Sequence, residues 1–156
     1  MKIKFLSIIL FLIFSTKSVA HLSHYNSLNT LEYELFRNDQ SIGFHNYKFE
    51  KIDSILKVES IINFSISKLG VNLYSYSGNT QESYKTDQLI KFSSNTNQNK
   101  KIKNTKILLN KNKNELIISG SENQLTAPIE YSVGTWWNHK IIKSKAQISA
   151  VSGRII

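Results

Sequence analysis

The sequence contains no cysteine and only one proline, Pro128. Without cysteine the chain has no disulfide, no thiolate ligand for a metal and no cysteine to carry a lipid anchor. Its stability therefore has to come from buried apolar side chains and from backbone hydrogen bonds. Proline removes a ladder hydrogen bond wherever it enters a sheet. Its scarcity leaves long stretches of this chain free to pair as β-strands.

Signatures of catalysis are also missing. Serine is plentiful, but no G-x-S-x-G segment places one on a nucleophile turn. The four histidines are His21, His24, His45 and His139. In a chain beginning at His21, the terminal amine and imidazole could chelate copper with His24 or His139, although an idle terminal histidine is the simpler interpretation. We therefore expect a protein that is not an enzyme and that uses no metal or cofactor.

Residues 1–20 have the layout of a secretory signal peptide. Two lysines lie near the start, an apolar run over residues 5–14 follows, and small residues close the segment. Such a run is shorter than the roughly 20 apolar residues that cross a bilayer, so cleavage after Ala20 is favoured over a retained anchor. The sequence predicts a mature chain of residues 21–156 that is periplasmic or secreted. Contact with a membrane is expected only through the signal segment.

The chain is basic, with a formal net charge of +9 to which the signal segment contributes three lysines. The densest basic stretch, residues 97–114, contains no aromatic residue, whereas nucleic-acid-binding surfaces combine basic with aromatic side chains. We interpret the stretch as two solvent-facing strand surfaces and a turn, in which lysine discourages edge pairing. Attraction to an anionic membrane surface is the alternative. No nucleic-acid partner is expected.

A period of two dominates residues 54–67, where apolar side chains share one parity and polar side chains mostly share the other. This alternation is typical of a strand with one face on a core. The segments LEYELF, VNLYSY and ELIIS repeat it, and NDQ, SGN, TNQN, NKN and SGSEN are typical of turns. The sequence predicts one all-β domain over residues 21–156. We expect an antiparallel meander of about eight strands, curled into a barrel or half-barrel.

Several short motifs follow one another in a characteristic order. They are Ile42 and Gly43 before His45, Leu69 and Gly70 before a tyrosine-rich strand, Glu82 two residues before an aromatic, Thr96 in a polar turn, and the run Thr135–Asn138. In this order they resemble a family of exported bacterial proteins known as the domain of unknown function number 6134. The resemblance covers nearly all of the mature chain. It implies an all-β fold and no assigned activity.

The same resemblance bears on the end of the chain. It implies several more strands after Ser152 and Gly153, whereas this chain ends at Ile156 in an apolar run. We therefore expect a C-terminally truncated domain that lacks its last strands, and a shorter open sheet is the alternative. Because an unpaired strand edge invites association, self-association through that edge is expected as well.

The two tryptophans lie side by side, at positions 136 and 137. Adjacent side chains point to opposite faces of a strand and lie about 100° apart in a helical turn, so one pocket does not easily hold both. We expect one ring to close the end of the barrel and the other to lie outside or at its mouth. A short helical turn is expected within residues 135–143.

Three carboxylates, those of Glu32, Glu34 and Glu82, are the best placed for a functional role. Glu32 and Glu34 share one face of an alternating strand and are interpreted as its solvent side. Glu82 allows two interpretations, a polar contact inside a cavity or a cross-strand pair with a lysine, and the second is the more common arrangement.

Two functions fit these features. The first is a non-enzymatic periplasmic protein that binds a lipid or another apolar molecule, because barrels of about eight strands hold one small ligand. The second is a structural or interaction protein of the envelope, with a filled core, a working surface on its outside around Tyr74, Tyr76 and Tyr84, and an envelope protein as its partner. The residues expected to line the ligand site are Leu56, Val58, Ile62, Phe64, Ile66, Glu82, Tyr84, Trp136 and Trp137.

Overall fold

The computed structural model describes Tyr25 and residues 27–156, and most of these residues lie in β-strands. Eight strands form one antiparallel sheet in which each strand pairs with the next along the chain. This meander confirms the predicted all-β class and number of strands. The predicted signal segment, residues 1–20, lies outside the described residues. The strands are β1 (Thr30–Arg37), β2 (Gln40–Ile52), β3 (Ile55–Lys68), β4 (Val71–Lys85), β5 (Gln88–Gln98), β6 (Lys101–Asn110), β7 (Glu115–Gly120) and β8 (Gln124–Pro128).

Two-residue turns join the first six strands. Turns in which both central residues have a positive φ match the right-handed twist of paired strands. They make tight hairpins, so the sheet keeps the order of the chain. The pairs with a positive φ at both positions are Asn38 and Asp39, Leu69 and Gly70, Thr86 and Asp87, and Asn99 and Lys100.

The predicted turn at residues 77–79 is wrong, because β4 runs through it without interruption. Gly78 lies opposite Ile62 on β3 and opposite Thr96 on β5. A Cβ atom at Gly78 would come within 3.2 Å of Thr96 Cγ2, so the glycine permits close packing inside the sheet. Thr96 was also predicted in a turn, and it is instead buried within β5.

The sheet curls without closing. Its first and last strands, β1 and β8, are not paired with each other in the described part of the chain. The described strands therefore do not form a closed barrel, and of the two predicted forms the half-barrel is the one compatible with this pairing. On β1, Glu32 and Glu34 are exposed, as predicted.

Residues 129–156 fold back over the inner face of this half-barrel. They contain two short parallel strands, β9 (Ser132–Val133) and β10 (Gln147–Ile148). They also contain one turn of 3-10 helix, His139–Ile142, inside the range where a helical turn was predicted. Neither this turn nor any other helix among the described residues is long and apolar enough to cross a membrane.

The C-terminal segment covers one half of the inner face, which we call the filled half. Three of its side chains, Val133, Trp137 and Ile148, join the core there. The sheet side chains buried with them include Tyr47, Phe49, Leu56, Val58, Glu82, Tyr84, Phe92, Ile107 and Ile118.

The other half of the inner face lies toward the β3–β4 turn, and we call it the open half. Its side chains have the same parity as those of the filled half but are only partly buried. They are Ile62, Phe64, Ile66, Tyr74 and Tyr76.

Candidate functional site

Glu82 is a carboxylate buried inside the filled half, with 1% of its surface exposed. Its neighbours across the sheet are Val58 on β3 and Phe92 on β5. The predicted cross-strand pair with a lysine is wrong, because the parity of β4 turns Glu82 toward the core while the lysines of the neighbouring strands face solvent. The other interpretation, a polar contact inside the half-barrel, agrees with this position.

The carboxylate is held by two hydrogen bonds from opposite sides. Trp137 Nε1 donates to Oε1 at 2.8 Å, and the Tyr84 hydroxyl donates to Oε2 at 2.6 Å. Asn138 Nδ2 donates in turn to the Tyr84 hydroxyl oxygen at 3.3 Å. Two of these four residues lie on β4 and two on the C-terminal segment. The network therefore joins the segment to the sheet.

Aromatic rings surround the Trp137 side chain. The ring centroids of Tyr25, Phe49 and Tyr84 lie 5.1, 5.5 and 5.6 Å from that of Trp137, and all three rings are nearly perpendicular to it. Edge-to-face contacts of this kind add to the free energy gained by burial. The Tyr25 hydroxyl also donates to the Trp137 carbonyl oxygen at 2.6 Å. Trp137 is thus the core plug that the sequence predicts of one tryptophan.

Burial raises the pKa of Glu82 from 4.5 to about 7, because the ionised carboxylate is removed from water. The hydrogen bonds from Tyr84 and Trp137 favour the ionised form and oppose part of this shift. Thr135 also faces the carboxyl group, but its hydroxyl oxygen lies outside hydrogen-bond geometry with the described residues. Burial also raises the pKa of Tyr84 well above its ordinary value, and the nearby carboxylate adds to the effect.

This network is buried among the residues that the structure describes, and it links the C-terminal segment to the sheet. Tyr84 and Trp137 are each at most 4% exposed, and Asn138 is 2% exposed. Among the described residues, no group of three or more histidine, aspartate and glutamate side chains has an arrangement that could hold a metal ion.

The structure divides the predicted ligand-lining residues into three groups. Five lie in the filled half, three lie in the open half, and Trp136 is 84% exposed on the C-terminal segment. The five buried residues contact one another and the C-terminal segment, so they do not face a ligand space. The three remaining inward residues are the ones that a ligand could reach. The buried group is Leu56, Val58, Glu82, Tyr84 and Trp137, and the open group is Ile62, Phe64 and Ile66.

Aromatic rings extend the open half onto β4. The Phe64 and Tyr76 rings stack at a centroid distance of 5.4 Å, and the Phe64 and Tyr74 rings lie 5.8 Å apart. Tyr74 lies opposite Ile66 across the β3–β4 pair. Burial raises the pKa of Tyr76, with a further contribution from Tyr74. Together these side chains form an apolar platform.

The part of the inner face that the C-terminal segment covers stops at the row of side chains next to this platform. The Ser94 hydroxyl donates to the Ala150 carbonyl oxygen, and the Trp136 backbone faces the Tyr47 hydroxyl. Tyr47 lies opposite Ser60 on β3, two positions before Ile62. Trp136 therefore stands at the border between the filled and the open half.

A family model described as Domain of unknown function (DUF6134) matches residues 33–156. The chain belongs to this family. The match confirms the resemblance noted in the sequence and contains all the predicted lining residues. Searches of curated proteins and of solved structures found no match, so the site itself has to carry any statement about function.

The outer face of the DUF6134 sheet carries a different kind of surface. A groove of about 540 Å³ runs across β3 to β6, and most of the residues that line it are of polar types. Gln81 Nε2 donates to Glu59 Oε1 at 3.3 Å across it. Its other polar residues include Asn79, Asn95, Asn104 and Lys106. This groove lies on the opposite side of the sheet from the platform, and the platform is the apolar candidate site.

Proposed function

We propose that this DUF6134 protein is exported and is a non-enzymatic binding protein, which holds a lipid acyl chain or another apolar molecule on its open half. The observation that carries the proposal is the platform of Ile62, Phe64, Ile66, Tyr74 and Tyr76, whose side chains are only partly buried. These side chains continue the core without a change of parity, yet no part of the described C-terminal segment covers them.

The filled half gives the physical reason to expect an apolar ligand on the platform. There the same face of the same strands is covered by apolar side chains from the C-terminal segment, such as Trp137 and Ile148. Removing apolar surface from water stabilises by about 25 cal/mol per Å². A ligand on the platform would complete the cover that the segment begins, and Trp136 stands at the border between the two.

The signal-like layout of residues 1–20 supports export to the periplasm or beyond. An apolar ligand is also consistent with that location, since a protein outside the cytoplasm meets lipids that leave a membrane.

A second function is favoured by a separate observation. The filled half has a tightly joined core with a buried hydrogen-bond network, as a structural or interaction protein of the envelope would have. In that case the platform would seat another protein, and an apolar small molecule would bind weakly.

Neighbouring isoleucines on β3 provide a matched test. Ile62 faces the platform, whereas Ile61 is 57% exposed on the outer face. In a titration with a dansyl-labelled fatty acid, Ile62→Ser should weaken binding about fivefold, as expected for the loss of about 1 kcal/mol of apolar contact. Ile61→Ser should leave the affinity unchanged.

The same titration decides between the two functions. Absence of saturable binding by the unaltered protein, or equal effects of the two substitutions, would contradict the apolar-ligand proposal. Light scattering on the same samples measures the mass in solution, so probe taken up by aggregates is recognised by its mass.

A further inference from the structure

The C-terminal segment exposes two large apolar side chains that the core does not use. Trp136 is 84% exposed and Ile142 is 83% exposed. The adjacent Trp137 is 4% exposed and fills the core. One tryptophan is therefore enough for the plug, and the second projects into solvent, where an apolar side chain gains nothing from folding.

A rigid support holds these two exposed side chains. Trp136 lies three residues before the 3-10 helix His139–Ile142, and Ile142 is the last residue of that helix. Asn138 caps the helix by accepting a hydrogen bond from the Lys140 N–H at 3.0 Å. Lys140 Nζ donates to the Asp87 carbonyl oxygen at 2.6 Å and so ties the helix to the β4–β5 turn. A 3-10 helix rises about 2 Å per residue and extended chain at most about 3.6 Å. The Cα atoms of Trp136 and Ile142 therefore lie within about 17 Å of each other.

Positive charge lies close to these side chains along the chain. Residues 136–145 contain three lysines and no acidic residue. Lys143 and Lys145 are exposed, and neither forms an ion pair with any residue that the structure describes. By contrast, Arg154 pairs with Glu122 at 2.6 Å. The two exposed lysines are thus left to interact with anions from outside the chain.

We infer that Trp136, Ile142, Lys143 and Lys145, which we call the C-terminal patch, dock the protein onto an anionic lipid bilayer. Tryptophan is enriched at the level of lipid headgroups, aliphatic side chains enter the acyl boundary, and lysines attract anionic headgroups. A stable protein partner would need a contiguous interface of about 800 Å² per side with an apolar centre. Two separated apolar projections beside lysines fit a fluid lipid surface better.

The inference places a membrane contact where the sequence did not predict one, since membrane contact was expected through residues 1–20, with the basic stretch 97–114 as the alternative. It is also independent of ligand binding, although Trp136 borders the proposed ligand site. The C-terminal patch could dock a protein that carries no ligand, and a ligand could bind the platform of a protein that never meets a bilayer.

The charge requirement is tested with vesicles of phosphatidylglycerol and of phosphatidylcholine, measured by flotation. The purified protein should bind phosphatidylglycerol vesicles far better and should dissociate as salt is raised. Replacing Lys143 and Lys145 by glutamine should weaken binding about 25-fold, from about fivefold per lysine. The control replaces Lys91 and Lys106 by glutamine, which removes the same charge from the outer face and should have a much smaller effect. Equal binding to both vesicles, or equal loss in both double variants, would overturn the inference.

The two tryptophans allow insertion to be read directly. Brominated phosphatidylglycerol should quench the fluorescence of the unaltered protein, because Trp136 enters the interface. It should not quench the tryptophan emission of Trp136→Phe, because the buried Trp137 is then the only tryptophan of the chain. Trp136→Ala should bind vesicles about tenfold more weakly, whereas Ile102→Ala, which removes an exposed apolar side chain from β6, should bind normally. Quenching that persists in Trp136→Phe would place another part of the chain at the membrane and would contradict docking by the C-terminal patch.

Discussion

The filled and open halves of the inner face are built from the same strands and the same alternation, but they differ in what lies on top of them. On β3, Val58 is fully buried whereas Phe64 is only partly buried. On β4, Tyr84 is buried within a hydrogen-bond network whereas Tyr76 stacks on Phe64 at the surface. Alternation decides which side chains face inward, and the cover decides which of them become core.

Trp136 and Trp137 give the largest expected contrast. Trp137→Ala should lower the free energy of unfolding by about 3 to 5 kcal/mol, because it removes a buried ring and leaves Glu82 with one donor fewer. Trp136→Ala should change it by less than about 0.5 kcal/mol, because the side chain is exposed. Urea unfolding of the two single variants measures both. Equal shifts would mean that Trp137 does not join the C-terminal segment to the sheet.

The next effect comes from the pKa of Glu82, which burial raises from 4.5 to about 7. Between these two values the folded protein keeps a proton that the unfolded chain releases. The free energy of unfolding therefore falls as the pH rises from 4.5 to 7, by about 3 kcal/mol in total, and the effect is fully developed above pH 7. In Glu82→Gln this contribution should vanish, because the amide does not titrate.

Unfolding curves at pH 5, 6, 7 and 8 measure this effect as the difference between the unaltered protein and Glu82→Gln. The difference should move in favour of the glutamine variant as the pH rises, since other titrating groups are common to both. Glu34→Gln, which removes an exposed carboxylate from the solvent side of β1, is the matched control. A difference that is constant with pH would contradict a raised pKa for Glu82.

Much of the sheet could be predicted from the sequence because alternation is a local property. The parity of Leu56, Val58, Ile62, Phe64 and Ile66 is enough to place β3 and its inner face. The adjacent tryptophans were expected to face different environments for the same reason, and their exposures of 84% and 4% confirm it.

The division into two halves could not be predicted, because it depends on contacts between distant parts of the chain. Trp137 meets Glu82 across 55 positions, and residues 129–156 have little regular structure whose period would reveal which half they cover. The polar segment around Gly78 was also misleading. Its turn-like composition concealed that Tyr74 and Tyr76 have the same parity as Glu82, and this parity was the signal that would have placed both tyrosines on the platform.

The smallest expected contrast is between two tyrosine hydroxyls. The Tyr84 hydroxyl donates to Glu82 and accepts from Asn138, whereas the Tyr76 hydroxyl makes no hydrogen bond to another described residue. Tyr84→Phe should lower the free energy of unfolding by about 2 kcal/mol at pH 8, because an ionised carboxylate loses a donor inside the core. Tyr76→Phe removes the same atom from the open half and should cost less than about 0.5 kcal/mol. At pH 5, where Glu82 is neutral, the Tyr84→Phe cost should shrink toward that of Tyr76→Phe, and a cost that stayed the same at both pH values would show that the hydroxyl acts through packing and not through the carboxylate.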